Sequence, residues 1–188
     1  MKTVPLSQGY VAIVDDEDYD RVSRHKWQAR VVRRRDGSEL NVYAGLTVCR
    51  NGKRTQELLH RFIISVRDPA VELDHRDGNG LNCQKSNLRI CTHAENSRNR
   101  RLKADNSLGL KGVHYCKDLG TFRARIMVGD KRKSLGQYAT AELAARAYDF
   151  ASEKYHGSYG LTNAALGLLK KRPAGITVQL PLQLLEAI

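Results

Sequence analysis

Little in this chain ties it to an oxidising compartment or to a membrane. Its four cysteines, Cys49, Cys83, Cys91 and Cys116, form no C-x-x-C pair, which argues against a disulfide scaffold or a zinc ribbon and for reduced thiols. No stretch approaches the roughly 18 uninterrupted apolar residues of a membrane span, and the opening Met1 to Gln8 lacks the apolar run of a signal peptide. A cytoplasmic protein with no membrane partner is expected. Aromatic residues are sparse at 6%, with a single Trp. Hydrophobic residues at 41% and charged residues at 28% still match an ordinary globular chain and exclude wholesale disorder. The length of 188 residues suits one large or two small domains.

Acidic charge is scarce beside its opposite: 20 Asp and Glu face 32 Lys and Arg, a net charge of +12. A polyanion is the expected partner. Residues 1–20 hold five acids against one lysine, whereas residues 21–62 hold eleven Lys and Arg against three acids. Every later segment is net positive, which suits a long track on nucleic acid better than one membrane-binding helix.

Along the chain, residues 10–14 read as a short buried strand, and Asp15, Asp16, Glu17, Asp18 and Asp20 open a helix ending near His25. Carboxylates at that end complement the helix dipole; a metal site made of them is the alternative. Trp27 to Val32 and Asn41 to Cys49 read as strands joined through Arg33-Arg34-Arg35-Asp36-Gly37 and followed by an Asn51-Gly52 hairpin turn. A helix over Leu58 to Ser65 is closed off by Pro69 before a strand over Val71 to His75. Small and polar residues mark 103–109 as a linker. Strands at 112–116, 120–128 and 131–137 then lead to a helix at 141–155, and the tail from 164 shows no periodicity.

The chemistry concentrates between Leu73 and Asn96. Asp74 and His75 end a strand, a Gly- and Asn-rich loop follows, Asn87 precedes a short strand, and Thr92-x-x-Glu95 forms a capping box that starts a helix holding Asn96. This order gathers an oxygen ligand from the strand, an oxygen ligand from the helix and an imidazole between them, a set that suits magnesium. An EF-hand starting at Asp77 fails because Leu81 and Leu88 stand where oxygen donors are required. Cys83, Cys91 and His93 lack zinc spacing; the two cysteines read as small buried fillers, His60, near an apolar helix, as structural, and His93 is left unassigned.

Residues 60–102 resemble the HNH (ββα-metal) endonuclease domain in its phage and homing-endonuclease form, through Leu59-His60-Arg61, Asp74-His75-x-Asp77-Gly78-Asn79, Asn82, Asn87-Leu88-Arg89, Thr92 and Glu95-Asn96. The resemblance implies that His75 is the general base that activates water, that Asn87 orients it, and that Asp74 and Asn96 hold one divalent metal at the scissile phosphate. Asn96 stands where the family name has a histidine, a mild departure.

Residues 110–163 resemble the APETALA2 (ethylene-response-factor) DNA-binding domain, through Lys111-Gly112-Val113, Phe122-Arg123-Ala124-Arg125-Ile126, Ser134-Leu135-Gly136, Thr140-Ala141-Glu142, Ala144-Ala145-Arg146-Ala147-Tyr148-Asp149, Gly157 and Asn163. The family's tryptophans near the first turn and on the third strand are absent, so its base preference does not carry over. The likeness implies DNA contact by Lys111, His114, Lys117, Arg123, Arg125, Arg132 and Ser134. Period-two alternation agrees: Phe122, Ala124, Ile126 and Val128 form one apolar face, leaving Thr121, Arg123, Arg125 and Met127 on the other.

The expectation is an α+β chain with a β-rich platform over 1–57, a ββα-metal nuclease over 58–102, a linker over 103–109, a three-stranded antiparallel sheet packed on one helix over 110–163, and a tail over 164–188. Its expected activity is magnesium-dependent hydrolysis of double-stranded DNA by a phage or mobile-element homing endonuclease in a bacterial or phage-infected cell, with no protein partner implied. The alternatives are a non-catalytic DNA-binding regulator that uses the C-terminal module alone, and an RNA-binding protein. The few aromatics argue against sheet-based base stacking on RNA.

Overall fold

A computed structural model describes residues 1–50, 52–100, 102 and 106–169, with the Arg50 side chain excepted. Asn51 of the expected hairpin turn, part of the 103–109 linker and the tail beyond Leu169 lie outside the described residues. The chain forms two compact units, Met1–Asn96 and Ser97–Ile188. Their division falls ahead of the 103–109 stretch. No helix among the described residues is long and apolar enough to cross a membrane.

Among the described residues, the first unit has three small antiparallel sheets. β1 (Lys2–Pro5) pairs with β2 (Val11–Val14); β3 (Gln28–Arg33), β4 (Glu39–Arg50) and β5 (Lys53–Leu58) form a meander; β6 (Glu72–His75) pairs with β7 (Leu88–Cys91). The helices are α1 (Asp16–Ser23), α2 (Leu59–Ile64) and α3 (His93–Arg98), the last two residues of α3 counting with the second unit. One core joins Val4, Val14, Val22, Trp27 and Ala44 to Leu59, Ile63, Cys83 and Leu88. The 1–57 segment thus packs with the strand and helices that follow it, as short strands with little apolar surface require.

The acids of α1 are used structurally. Asp16, Glu17 and Asp18 occupy its first turn, where their charge is favourable. Buried Asp18 accepts from Arg21 Nε at 2.9 Å and Nη2 at 2.6 Å, and Asp15 accepts from Lys85 N at 2.8 Å and Gln84 Nε2 at 3.1 Å. The Asp15 bonds tie the start of α1 to the loop between β6 and β7. β2 grips the same loop, with Ile13 N donating to Leu81 O and Cys83 N donating to Ile13 O, each at 2.8 Å.

In the second unit β8 (Val113–Cys116), β9 (Thr121–Val128) and β10 (Lys131–Tyr138) form an antiparallel sheet with β9 central, backed by α4 (Ala141–His156). Ala144, Ala147 and Ala151 are fully buried against Ala124, Ile126 and Leu135; small helix residues permit the close approach. Thr140 caps α4 by accepting from Leu143 N at 3.2 Å. Gly112 is required twice over: its φ is +72°, and a Cβ there would meet the Tyr148 ring at 1.9 Å.

Candidate active site and nucleic-acid surface

β6 and β7 pair with Glu72 opposite Cys91, Asp74 opposite Arg89 and His75 opposite Leu88. Alternation places Glu72, Asp74, Arg89 and Cys91 on one face of this ribbon and His75 on the other. Asp74 is buried, and Arg89 Nε and Nη2 donate to its Oδ2 at 3.0 and 2.6 Å. A buried carboxylate needs such compensation, and removing one partner of the pair would be costly.

His75, the last residue of β6, is buried beside two other rings. The His60 ring centroid lies 4.9 Å away and nearly perpendicular, and that of Tyr43 lies 5.9 Å away. Burial lowers the pKa of His75 below the usual histidine value, while Asp77 and Asp74 pull it back. Burial, then the charges of His75 and Arg61, push His60 down to about 3. His75 is therefore a neutral imidazole at neutral pH, the state a general base requires.

Asn87 locks the loop that leaves His75. Its Oδ1 accepts from Asp77 N at 3.1 Å, and its Nδ2 donates to Asp77 Oδ1 at 3.0 Å and to Asn82 O at 2.8 Å. Asn82 Nδ2 donates to the other Asp77 oxygen at 2.8 Å. These bonds fix the segment two residues beyond His75, so they constrain the imidazole through the backbone. Asn41 Oδ1 reaches from β4 to accept from Gly80 N at 3.2 Å. Gly80 admits this approach because a Cβ there would lie 2.4 Å from Val42 O.

The capping box forms as the sequence suggests: Thr92 N donates to Glu95 Oε2 at 2.8 Å and Glu95 N donates to Thr92 Oγ1 at 3.3 Å. Asn96 follows in α3, but its Nδ2 donates to Glu72 Oε2 at 2.8 Å, and His93 Nδ1 meets Glu72 Oε1 at 2.7 Å. Glu72 was not among the residues singled out, although its place two residues before Asp74 puts it on the same strand face. Tyr43 had no sequence signal, since β4 approaches from more than thirty residues away.

Among the described residues, no group of three or more His, Cys, Asp and Glu is placed to hold a metal ion. The donor pair read from the sequence is smaller: the Asp74 carboxylate and the Asn96 amide oxygen. Both are hard oxygen donors of the type magnesium takes, and magnesium fills its remaining positions with water and phosphate. Burial pushes the thiols the other way, Cys83 up to about 12 and Cys91 up to about 11. Neither is a thiolate ligand at neutral pH.

On the second unit, the strand register sets the outward face. His114, Arg123 and Gln137 form one row across the sheet, Ser134 pairs with Arg125, and Arg132 pairs with Met127. His114, Arg132 and Ser134 are exposed, Arg123 and Arg125 are half-buried, and Lys117 is exposed in the turn after β8. Lys111 is placed differently from these residues. Its side chain is turned into its own unit, where Nζ donates to Arg98 O and Arg100 O, each at 3.0 Å. Burial brings its pKa down to about 8. Lys111 N is also held by Asn163 Oδ1 at 2.6 Å, and Asn163 is in turn bonded to Asp149. These bonds give this lysine a structural role within its unit.

No family profile matches the chain. Among curated proteins, protein 3.8 of Escherichia phage T7 is 32% identical over 87 residues, covering 46% of this chain and 71% of that protein. An uncharacterized HNH endonuclease, L560, of Acanthamoeba polyphaga mimivirus is 30% identical over 110 residues, covering 56% of each chain. The H-N-H endonuclease F-TflI of Escherichia phage T5 is 40% identical over 55 residues, 26% of this chain and 28% of that one. This chain is thus similar, over part of its length, to two proteins named as HNH endonucleases. It spans about half, or less, of the two relatives that carry the HNH name. A solved structure of the HNH homing endonuclease I-HmuI, on DNA binding and cleavage, covers 83% of this chain and 91% of its own at 16% identity, with a TM-score of 0.30. That similarity is too low to support a structural argument.

Proposed function

We propose that this chain is an HNH-type, metal-dependent endonuclease of the phage or mobile-element homing kind that hydrolyses phosphodiester bonds in double-stranded DNA. The observation that supports this best is His75, a buried neutral imidazole at the end of the strand that carries Asp74. In this reading His75 takes a proton from the attacking water. Asp74 and Asn96 hold the divalent metal, magnesium by the character of their oxygens. Bound there, the metal stabilises charge on the phosphate and the departing 3′ oxygen. Arg89 keeps the buried Asp74 carboxylate compensated, and Asn87 keeps the loop after His75 rigid.

The sheet of the second unit supplies the DNA-reading surface in this proposal, in the manner of the APETALA2-like module it resembles. Outward arginines such as Arg123 and Arg125 are able to meet guanine edges or phosphates. The deciding experiment is plasmid cleavage with and without magnesium, on the parent chain and on Asp74→Ala. The parent should nick only with magnesium and Asp74→Ala should not nick; magnesium-dependent activity retained in the variant removes Asp74 from the site. A non-catalytic DNA-binding regulator, which needs only the second unit's sheet, would bind in the same experiment and leave the plasmid intact.

A further inference from the structure

Glu72 lies outside every motif that marks the site, yet it is joined to one of the residues assigned to the metal. It opens β6 two residues before Asp74, on the same ribbon face. Both of its carboxylate oxygens are engaged by α3: Oε1 by His93 Nδ1 at 2.7 Å and Oε2 by Asn96 Nδ2 at 2.8 Å. His93 and Asn96 are three residues apart and so share a helix face. One carboxylate therefore clamps α3 to the ribbon face that carries Asp74.

The chemistry of the clamp settles the orientation of Asn96. A carboxylate oxygen accepts hydrogen bonds and donates none, so it selects the NH₂ end of the amide. The other end of the same amide is the oxygen, the only side-chain atom of Asn96 able to ligate a hard cation. Without Glu72, the side chain would be free to turn its NH₂ toward the metal. A hydrogen-bonded partner that fixes the orientation of a metal-binding side chain typically changes metal affinity by roughly 10- to 100-fold.

We propose that Glu72 is a positioning residue for the metal site, holding the Asn96 nitrogen so that the Asn96 oxygen is left to ligate the ion. The inference rests on the metal-dependent reading above. It also separates Glu72 from the ligands themselves, since both Glu72 oxygens are committed to α3.

The test uses the full chain, Mn²⁺ as the probe for binding, followed by the electron paramagnetic resonance of the free ion, and the magnesium concentration that half-activates plasmid nicking. Glu72→Ala should weaken Mn²⁺ binding by roughly 10- to 100-fold and raise the half-activating magnesium by a similar factor, while nicking at saturating metal stays within a few-fold of the parent. Glu72→Gln keeps an acceptor for Asn96 and a donor for the His93 ring nitrogen, so it should recover most of that loss. Unchanged Mn²⁺ binding in Glu72→Ala overturns the proposal, as does a Glu72→Gln variant as impaired as Glu72→Ala, which would place the Glu72 charge on the ion itself. Should Glu72→Ala lose its cooperative urea transition, Glu72→Gln decides alone: near-parental binding is expected, and a tenfold loss overturns. A parent chain that neither binds Mn²⁺ nor nicks with any divalent metal refutes the metal-dependent reading, a result distinct from all of these.

Discussion

Lowering the pH from 7.5 to 5.5 should destabilise the Met1–Asn96 unit through His60. Burial, with His75 and Arg61 adding to it, holds the native His60 down to about 3, against 6.5 for an ordinary histidine. The native imidazole stays neutral throughout this range while the unfolded chain takes up a proton, so stability rises with pH. The contribution is complete above 6.5 and is lost as the pH falls from there toward 3. Integrated from pH 7.5 to 5.5, one such histidine costs about 1.4 kcal/mol. His75 is shifted in the same direction and adds to this loss. Carboxylates titrate mainly below this window. Trp27 reports on this unit, being the only tryptophan, 3% exposed, and in the same core as Leu59 and Ile63. Urea unfolding followed by its fluorescence at both pH values, on the parent and on His60→Gln, measures the effect. The variant should lose about 1.4 kcal/mol less than the parent between the two pH values. Equal losses would refute the assignment of a buried neutral His60.

Two further outcomes follow from the site and the sheet. His75→Ala should lower magnesium-dependent nicking by roughly 100- to 10,000-fold with little change in DNA affinity by gel shift; an unchanged rate removes His75 from the chemistry. Arg125→Ala and Lys111→Met should part company in titrations with duplex DNA: the first weakens binding, by about 1 to 3 kcal/mol with discrimination lost at one position if Arg125 reads a base, or on all sequences with the salt slope reduced by about 1 if it meets a phosphate. Lys111→Met should leave the salt slope alone and instead lower stability by about 1 to 3 kcal/mol, because two carbonyls lose their donor; a reduced slope in that variant would place Lys111 on the DNA.

The elements that sequence could reveal are those whose own residues carry a local rule. β9 alternates apolar and polar residues, α4 has a capping threonine and small residues at helical spacing, and α3 has its capping box. β1 and β5 have no such rule. Lys-Thr-Val-Pro is too short to show a period, and Lys-Arg-Thr-Gln-Glu-Leu is polar and largely exposed, existing as a strand only because β4 pairs with it residue by residue. The site divides in the same way. Asp74, His75, Asn87 and Asn96 lie on recognisable strand ends and helix starts. Tyr43 reaches His75 from a different sheet, and Glu72 gains its importance only when α3 folds back onto β6.

Net charge is the least direct guide, because several of the cations that make up the +12 serve the interior. Arg21 is committed to Asp18 and to the carbonyl of Ile63, Arg89 to Asp74, Arg61 to the carbonyls of Val71 and Asp68, and Lys111 to the carbonyls of Arg98 and Arg100. A cation that already closes a helix end or a buried carboxylate neutralises no phosphate and releases no counterion. Arg123, Arg125, Arg132 and Lys117 differ in kind: strand alternation turns the three arginines to one face, and Lys117 sits exposed in the turn at its edge. The electrostatic footprint of the second unit is therefore set by the register of β8, β9 and β10, and a one-residue slip of β9 would move Arg123 and Arg125 to the α4 side and leave the outer face without them.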